Sequence, residues 1–306
     1  MFDGRLRRVF SATGIALAAL ILFGASDSQA LMTVLVNNDG TSQNITKYDF
    51  DTGTYLGLFT TYSMQRPLGM TVDNFNNVYV ADINANTIEK FDAKGTHLAT
   101  FTSPNISDNE GMIVSGGFLY SASYNTGKIA KFALNGTDLG IFANVDNNGL
   151  QGLVADVNGN LYVADYNGAL HGGTIQKVTP DGSVSQFATM ATPIGLTIDS
   201  SGNIYGSDPI YGHVIHKFSP SGADLGVIVS GAFAYYMTTG TNDFIYAPLT
   251  TTPAIEKYST SGTDLGAFTT TGLDSPVAII IIPEPSSFLL LATGAVALAG
   301  VRRRKH

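Results

Sequence analysis

The sequence contains no cysteine, and only 13% of its 306 residues are charged. Without cysteine the chain forms no disulfide framework, no thiolate zinc site and no iron–sulfur cluster, and it has no cysteine nucleophile. Basic residues are also scarce, with 16 Lys and Arg against 24 Asp and Glu, whereas a nucleic-acid-binding domain carries a basic face. The composition therefore excludes thiol chemistry and predicts that nucleic acid is not a partner.

Glycine and aromatic residues are abundant instead, with 34 Gly, 17 Phe and 14 Tyr. A hydrophobic content of 44% and a mean hydropathy of +0.15 are too apolar for a disordered chain. The glycines lack the three-residue period of collagen. Length alone suggests about two domains, but this composition favours a single all-β domain.

The N-terminus has the order of a secretory signal peptide. Arg5, Arg7 and Arg8 precede an apolar run over residues 9–25, and residues 28–30 (Ser-Gln-Ala) follow as a small-x-small cleavage site. Residues 1–30 are therefore predicted to direct export. An uncleaved membrane anchor is the alternative.

The C-terminus combines a Pro-Glu-Pro motif, an apolar run and a basic cluster. These parts are Pro283, Glu284 and Pro285, then residues 288–301, then Arg302, Arg303, Arg304 and Lys305. An apolar run of this length at about 1.5 Å per residue reaches only about 21 Å, short of a hydrocarbon core of about 30 Å. It is a marginal membrane span, and the basic cluster would hold its end on the cytoplasmic side.

This order resembles the PEP-CTERM sorting signal of Gram-negative bacteria that make exopolysaccharide. The resemblance implies recognition by exosortase, a transpeptidase-like membrane enzyme, and removal of the tail near the Pro-Glu-Pro motif. Until then residues 283–306 would anchor the chain transiently in the inner membrane. An ordinary tail anchor is the alternative.

The region between the two ends is strongly acidic. The ends together hold seven basic and three acidic residues, so residues 31–282 hold nine of the 16 basic and 21 of the 24 acidic residues, a net charge of −12. A domain with this charge repels nucleic acid and anionic membrane surfaces.

Residues 31–282 contain a sixfold repeat. A Lys followed by an aromatic residue or Val recurs at Lys47, Lys90, Lys131, Lys177, Lys217 and Lys257, at steps of 43, 41, 46, 40 and 40 residues. Upstream, a motif typified by residues 77–82 (Asn-Val-Tyr-Val-Ala-Asp) returns at 160–165 and 203–208. Each unit divides into four short strands separated by turns. Four-stranded units about 40 residues apart indicate a β-propeller, here with six blades.

The first unit has only three strands, at residues 32–37, 44–49 and 55–60. Residues 275–282, with four consecutive Ile, suit an innermost strand that is covered on both faces. We therefore predict that this C-terminal strand completes the first blade and closes the ring. The repeats resemble the NHL-repeat and related six-bladed propellers, a resemblance that covers residues 31–282 and implies fold more firmly than function.

The loops before the first strand and after the second strand of each blade share one face, and there the repeat is least regular. Glu110 and Gln151 lie where other blades have Leu68 and Ile194. Blade four carries an insertion over residues 166–173, and blade five has an irregular loop over 209–213. The predicted ligand-binding residues are Glu110, Gln151, Tyr124, Tyr166, His171 and Tyr211, with Tyr235 as a further exposed aromatic.

We expect the other conspicuous polar residues to be structural. Asp82, Asp165 and Asp208 recur with the repeat, as do Asp73, Asp156 and Asp199 at the turns, and the recurring Lys is expected to face water. A calcium site at residues 156–160 is an alternative, but these residues lack the spacing and closing Glu of an EF-hand loop. His213 and His216 are three apart, which sends them to opposite faces of a strand. No catalytic residue, metal ligand or cofactor is assigned.

These features favour an exported, non-enzymatic propeller that binds or scaffolds extracellular polysaccharide or an envelope protein. It would reside at the outer surface or in the biofilm matrix of a Gram-negative bacterium. Tyrosine suits such contacts because its ring packs while its hydroxyl remains hydrogen-bonded. The alternative is a metal-dependent hydrolase or lyase. Glu110-Gly111 resembles the start of an inner strand in lactonase propellers, and a streptogramin-lyase type would need a pair such as His171 and Glu110.

Overall fold

The computed structural model describes residues 32–145, 148–166 and 172–283, which form six four-stranded sheets. Blade 1 begins with β1 (Met32–Asn38), β2 (Asn44–Asp49) and β3 (Tyr55–Leu58). Blade 2 contains β4 (Pro67–Val72), β5 (Val78–Asp82), β6 (Thr87–Phe91) and β7 (His97–Phe101). Blade 3 contains β8 (Asn109–Ser115), β9 (Phe118–Ser123), β10 (Lys128–Ala133) and β11 (Asp138–Asn144).

The remaining blades repeat this antiparallel order. Blade 4 contains β12 (Leu150–Ala155), β13 (Leu161–Asp165), β14 (Thr174–Val178) and β15 (Val184–Thr189). Blade 5 contains β16 (Leu196–Ile198), β17 (Ile204–Asp208), β18 (Val214–Phe218) and β19 (Asp224–Ser230). Blade 6 contains β20 (Thr238–Thr239), β21 (Ile245–Leu249), β22 (Ala254–Tyr258) and β23 (Asp264–Thr269), and the last strand is β24 (Pro276–Pro283). The predicted all-β, six-bladed architecture is confirmed.

The C-terminal strand closes the ring as predicted. The sheet order in blade 1 is β24-β1-β2-β3, and β24 runs antiparallel to β1 with Val36 opposite Ile279. The predicted signal peptide, His171 and the sorting residues Glu284, Pro285, Arg302, Arg303 and Arg304 lie outside the described residues. In the part of the chain that the structure describes, no helix is long and apolar enough to cross a membrane.

The residue after each recurring Lys is part of the core. Tyr48, Phe91, Phe132, Val178 and Phe218 are completely buried, and Tyr258 is 7% exposed. The Lys itself does not simply face water, so that expectation is wrong. Lys90 Nζ lies 5.3 Å from the centre of the Tyr79 ring and donates to the Leu134 carbonyl of the next blade at 2.8 Å. Lys217 makes the equivalent pair of contacts, with the Tyr205 ring and the Thr260 carbonyl of the next blade. Cation–π contacts also form at Lys131, Lys177 and Lys257.

The Asp at the turn between the first two strands is structural, as expected. Asp199 Oδ1 accepts hydrogen bonds from the backbone N–H groups of Ser201 and Asn203, and its Oδ2 accepts from the Asn203 amide and the Tyr205 hydroxyl. Asp73 and Asp156 accept the equivalent set. Burial raises the pKa of Asp199, but these hydrogen bonds outweigh it and lower the pKa overall.

We expect Asp199→Ala to lower the free energy of unfolding by about 3 kcal/mol, because several hydrogen bonds to a charged group are lost. Chemical denaturation at pH 7 measures this. Since the pKa of Asp199 is lowered in the folded state, its contribution is present above the unfolded pKa of about 4 and is lost as the pH falls further. Asp181→Ala, in an exposed turn, is the control and should cost little. Equal losses for both variants would contradict the structural role.

The six innermost strands surround a central channel of about 270 Å³. Its lining includes apolar residues, such as Met70, Met112 and Leu153, and threonines, such as Thr71 and Thr197. At the loop-face end the inner strands approach each other closely. The backbone N–H of Gly152 donates to the Ile194 carbonyl at 2.8 Å, and that of Tyr236 donates to the Val277 carbonyl at 2.9 Å. This end of the channel carries the candidate site.

Candidate functional site

Backbone hydrogen bonds tie together the loops of blades 3 and 4 around the channel mouth. Tyr124 N–H donates to the Asp108 carbonyl, Gly149 N–H donates to the Tyr124 carbonyl, and Tyr166 N–H donates to the Gly149 carbonyl. The loop face of these blades is therefore a connected framework. It sets the starting points of β8 and β12, which carry Glu110 and Gln151.

Tyr236 connects the two polar residues of the mouth. Its hydroxyl lies 2.7 Å from Glu110 Oε2 and 2.6 Å from Gln151 Oε1. Gln151 and Tyr236 are buried, and Glu110 is half-buried. Glu110 belongs to blade 3, whereas Tyr236 precedes the inner strand of blade 6, on the opposite side of the ring. The Tyr236 side chain therefore crosses the channel mouth.

The register of the inner strands shows why Tyr236 occupies this place. A Cβ atom on Gly69, Gly111 or Gly152 would overlap or crowd the carbonyl group of Glu110, Gln151 or Ile194 in the next blade. A Cβ on Gly195 would likewise overlap the Tyr235 carbonyl. Tyr235 is thus the blade 6 equivalent of Ile194, and Tyr236 stands where four other blades have glycine. No role for Tyr236 was predicted from the sequence, although its place in the repeat, where other blades have glycine, was a usable signal.

Burial and nearby charge raise the pKa of Glu110 to about 7. The largest cause is burial, and the Asp108 carboxylate adds to it, whereas the hydrogen bonds from Tyr236 and Gln151 and the charge of Arg66 oppose it. Burial also raises the pKa of Asp108. Arg66 forms a bidentate salt bridge with Asp39, in which Nε lies 2.9 Å from Oδ1 and Nη2 lies 2.8 Å from Oδ2. Negative charge at the mouth is therefore only partly balanced.

Tyrosines surround this polar group. The pKa of Tyr124 is raised by burial and then by the charges of Glu110 and Asp108. Burial and then Asp39 and Glu110 raise the pKa of Tyr235. Tyr166 has its pKa raised by burial and by interaction with Tyr211, and Tyr211 is 46% exposed.

We call this cluster the loop-face site. It comprises Asp39, Arg66, Asp108, Glu110, Tyr124, Gln151, Tyr166, Tyr211, Tyr235 and Tyr236. Five of the six predicted ligand-binding residues fall within it, and the sixth, His171, is outside the described residues. The structure brings these side chains together, and their role in ligand binding remains a prediction.

The described histidines of blade 5 do not meet at a shared metal position. The His213 ring stacks on Phe233 with 3.8 Å between ring centres, whereas His216 Nδ1 lies 3.5 Å from Asp224. Across residues 32–145, 148–166 and 172–283, no three His, Cys, Asp or Glu side chains form a group that could hold a metal ion.

The fold defines a class: a six-bladed β-propeller with an acidic, tyrosine-rich loop face. The chain also carries the PEP-CTERM protein-sorting motif at residues 282–305. That motif implies export, surface sorting in Gram-negative bacteria, processing by exosortase and membrane anchoring before cleavage. Among curated proteins, none shows significant sequence similarity to this chain.

Solved structures show the same fold at low sequence identity. A chain of the nidogen/laminin complex superposes with a TM-score of 0.72 at 18% identity, covering 82% of this chain and 98% of that one. A protein of unknown function from Bacteroides caccae gives 0.65 at 11% identity, covering 83% and 100%. A streptogramin B lyase gives 0.60 at 17% identity, covering 77% and 79%. At these identities the likeness concerns the fold alone.

Proposed function

We propose that this protein is a surface-sorted, non-enzymatic propeller that binds extracellular polysaccharide through the loop-face site. The observation that carries the proposal is the set of four tyrosines, Tyr124, Tyr166, Tyr211 and Tyr235, around a mouth with a carboxyl and an amide side chain. Aromatic rings pack on the apolar faces of sugars, while carboxyl and amide groups bind sugar hydroxyls. A polar mouth with aromatic walls fits a glycan.

The contacts of Glu110 favour the binding of a ligand that carries hydroxyl groups. Glu110 and Gln151 both contact the Tyr236 hydroxyl, so their polar atoms are placed to bind a hydroxyl group. Within the described residues Glu110 has no group of metal-ligating partners. The second candidate, a lyase or hydrolase, is favoured only by the likeness of the fold to the streptogramin B lyase.

Replacing both Tyr166 and Tyr211 by Ala should weaken binding of exopolysaccharide about tenfold or more, since each aromatic contact is worth roughly 0.5–1.5 kcal/mol. Isothermal titration calorimetry with the full chain and exopolysaccharide purified from a Gram-negative producer measures the affinity.

Phe75→Ala provides a matched control. Phe75 is 81% exposed and lies in the turn between β4 and β5, at the opposite end of the blade from the loop face. This variant should bind as the wild type does. Unchanged affinity in the double tyrosine variant would contradict the proposal, as would a rise in melting temperature with Ca²⁺ or Mg²⁺ that Glu110→Gln abolishes.

A further inference from the structure

The contacts among Glu110, Gln151 and Tyr236 require a specific number of protons. The Tyr236 hydroxyl lies 2.7 Å from Glu110 Oε2 and 2.6 Å from Gln151 Oε1, and it carries a single hydrogen. It can therefore donate to only one of these two oxygens. The other contact is a hydrogen bond only if its partner donates to the hydroxyl, which a protonated carboxyl group can do and an amide oxygen cannot. The second hydrogen has to come from Glu110.

The orientation of the Gln151 amide agrees with this count. Its Oε1 faces the Tyr236 hydroxyl at 2.6 Å, and Gln151 lowers the pKa of Glu110, as an Nε2–H group directed toward the carboxyl group does. The amide oxygen accepts from Tyr236 and cannot donate to it. With Glu110 ionised, the Tyr236 hydroxyl would face two acceptors with a single hydrogen. Both of its contacts are hydrogen bonds only when Glu110 carries a proton.

We propose that Tyr236 is a proton-linked latch over the channel mouth, occupying a subsite of Glu110 and Gln151 that binds adjacent hydroxyl groups of a sugar. A proton on Glu110 completes the latch. Loss of that proton removes one of the two hydrogen bonds of the Tyr236 hydroxyl and leaves acceptors that the hydroxyl groups of the ligand can reach. This inference rests on the proposed function, and it adds the ligand chemistry and the regulation of the same site.

The groups around Glu110 agree with a proton gained near neutral pH. Its pKa is raised to about 7, chiefly by burial and further by Asp108. Arg66 acts in the opposite direction, but its guanidinium is already paired with Asp39. The other titratable groups at the mouth are tyrosines: Tyr124, Tyr166, Tyr211, Tyr235 and Tyr236. The pKa values of Tyr124, Tyr166, Tyr235 and Tyr236 are raised, so these hydroxyl groups remain neutral near pH 7.

The class of ligand follows from the side chains that are exposed when Tyr236 moves away from the mouth. When Tyr236 withdraws, the mouth presents a carboxylate and an amide beside aromatic walls. A carboxylate accepts hydrogen bonds and an amide both accepts and donates them, so the pair suits two neighbouring hydroxyl groups, each of which donates and accepts. Vicinal hydroxyls on a sugar ring have this pattern, and the Tyr236 hydroxyl imitates one of them.

The latch can be tested without ligand. Tyr236→Phe removes the hydroxyl and keeps the ring. The substitution should lower the melting temperature at both pH values. We expect the decrease to be about 2–4 °C larger at pH 5.5, where the hydroxyl of the wild type makes two hydrogen bonds, than at pH 8.5. In a Glu110→Gln background the new amide donates to the Tyr236 hydroxyl at every pH. The decrease in melting temperature caused by Tyr236→Phe should therefore not change with pH in this background. A pH-independent cost in the wild-type background would overturn the latch.

Ligand binding tests the subsite. Wild type should bind exopolysaccharide more tightly at pH 8.5 than at pH 5.5, and Tyr236→Phe should bind about tenfold more tightly than wild type at pH 5.5. Periodate cleaves vicinal diols, so periodate-oxidised polysaccharide should show no gain with Tyr236→Phe. The proposed subsite would be wrong if Tyr236→Phe bound no more tightly than wild type at pH 5.5. It would also be wrong if Tyr236→Phe increased the affinity for oxidised polysaccharide as much as for the untreated one.

The stability measurements without ligand and the binding measurements test separate parts of the proposal. If neither wild type nor Tyr236→Phe binds polysaccharide, the proposed function and the sugar subsite are wrong, while the pH dependence measured without ligand still decides the latch. If polysaccharide binding depends on Tyr166 and Tyr211 but the cost of Tyr236→Phe is independent of pH, the proposed function stands and the latch is wrong.

Discussion

A chain that ends after Ser275 should not fold into the propeller. It lacks β24, whose buried aliphatic side chains are Val277, Ile279, Ile280 and Ile282. Burying each such side chain contributes about 1.5–3 kcal/mol, so together they contribute on the order of 10 kcal/mol. The whole stability of a typical protein is about 5–15 kcal/mol. We expect the cooperative thermal transition, followed by circular dichroism, to disappear.

The loss has a second cause, in the strand that β24 covers. Val34, Leu35 and Val36 of β1 are completely buried, and β1 would become an unpaired inner edge. Exposed apolar edges of this kind promote aggregation. The matched control ends after Pro283 and retains every described strand, so its melting temperature should equal that of the full chain. A cooperative transition at the same temperature after truncation at Ser275 would show that β24 does not close the ring.

The closing strand was predictable because its signal lies within a few residues. Four consecutive Ile indicate a strand covered on both faces, and the first unit lacked one strand. The recurring Lys was equally visible, but its contact was not. Lys90 donates to Leu134 in the next blade, 44 positions along the chain, so the partner is set by how blades pack. Sequence periodicity identifies the repeat unit but does not show contacts between units.

Tyr236 was missed for a related reason. Its partners Glu110 and Gln151 are 126 and 85 positions away in sequence. Its own repeat is also the most degenerate, since β20 has only two residues. The irregular residues Glu110 and Gln151 could be recognised one at a time as departures from the pattern. Their meeting across the mouth depends on the closed ring, because only closure places blade 6 opposite blade 3.

Gly195→Ala should destabilise the protein by about 3 kcal/mol, the upper part of the usual range for overpacking. The new Cβ would overlap the Tyr235 carbonyl oxygen of the next blade, and it would lie 2.8 Å from Ser207 Oγ. Ser207 Oγ already donates to the Tyr235 carbonyl and accepts from the Gly195 N–H, so it cannot move without losing hydrogen bonds. For a domain of this size the loss corresponds to a decrease in melting temperature of roughly 6–12 °C.

Gly172→Ala separates crowding from the general effect of replacing glycine. Among the residues that the structure describes, a Cβ at Gly172 meets no atom within 4 Å, and this variant should keep the wild-type melting temperature. Because the clash at Gly195 is with backbone of a neighbouring blade, relief requires the inner strands of blades 5 and 6 to separate. That separation would also displace Tyr236, which follows Tyr235 directly. In a Gly195→Ala background, the decrease in melting temperature caused by Tyr236→Phe should therefore depend less on pH. A Gly195→Ala variant as stable as the wild type would show that the inner strands do not approach this closely.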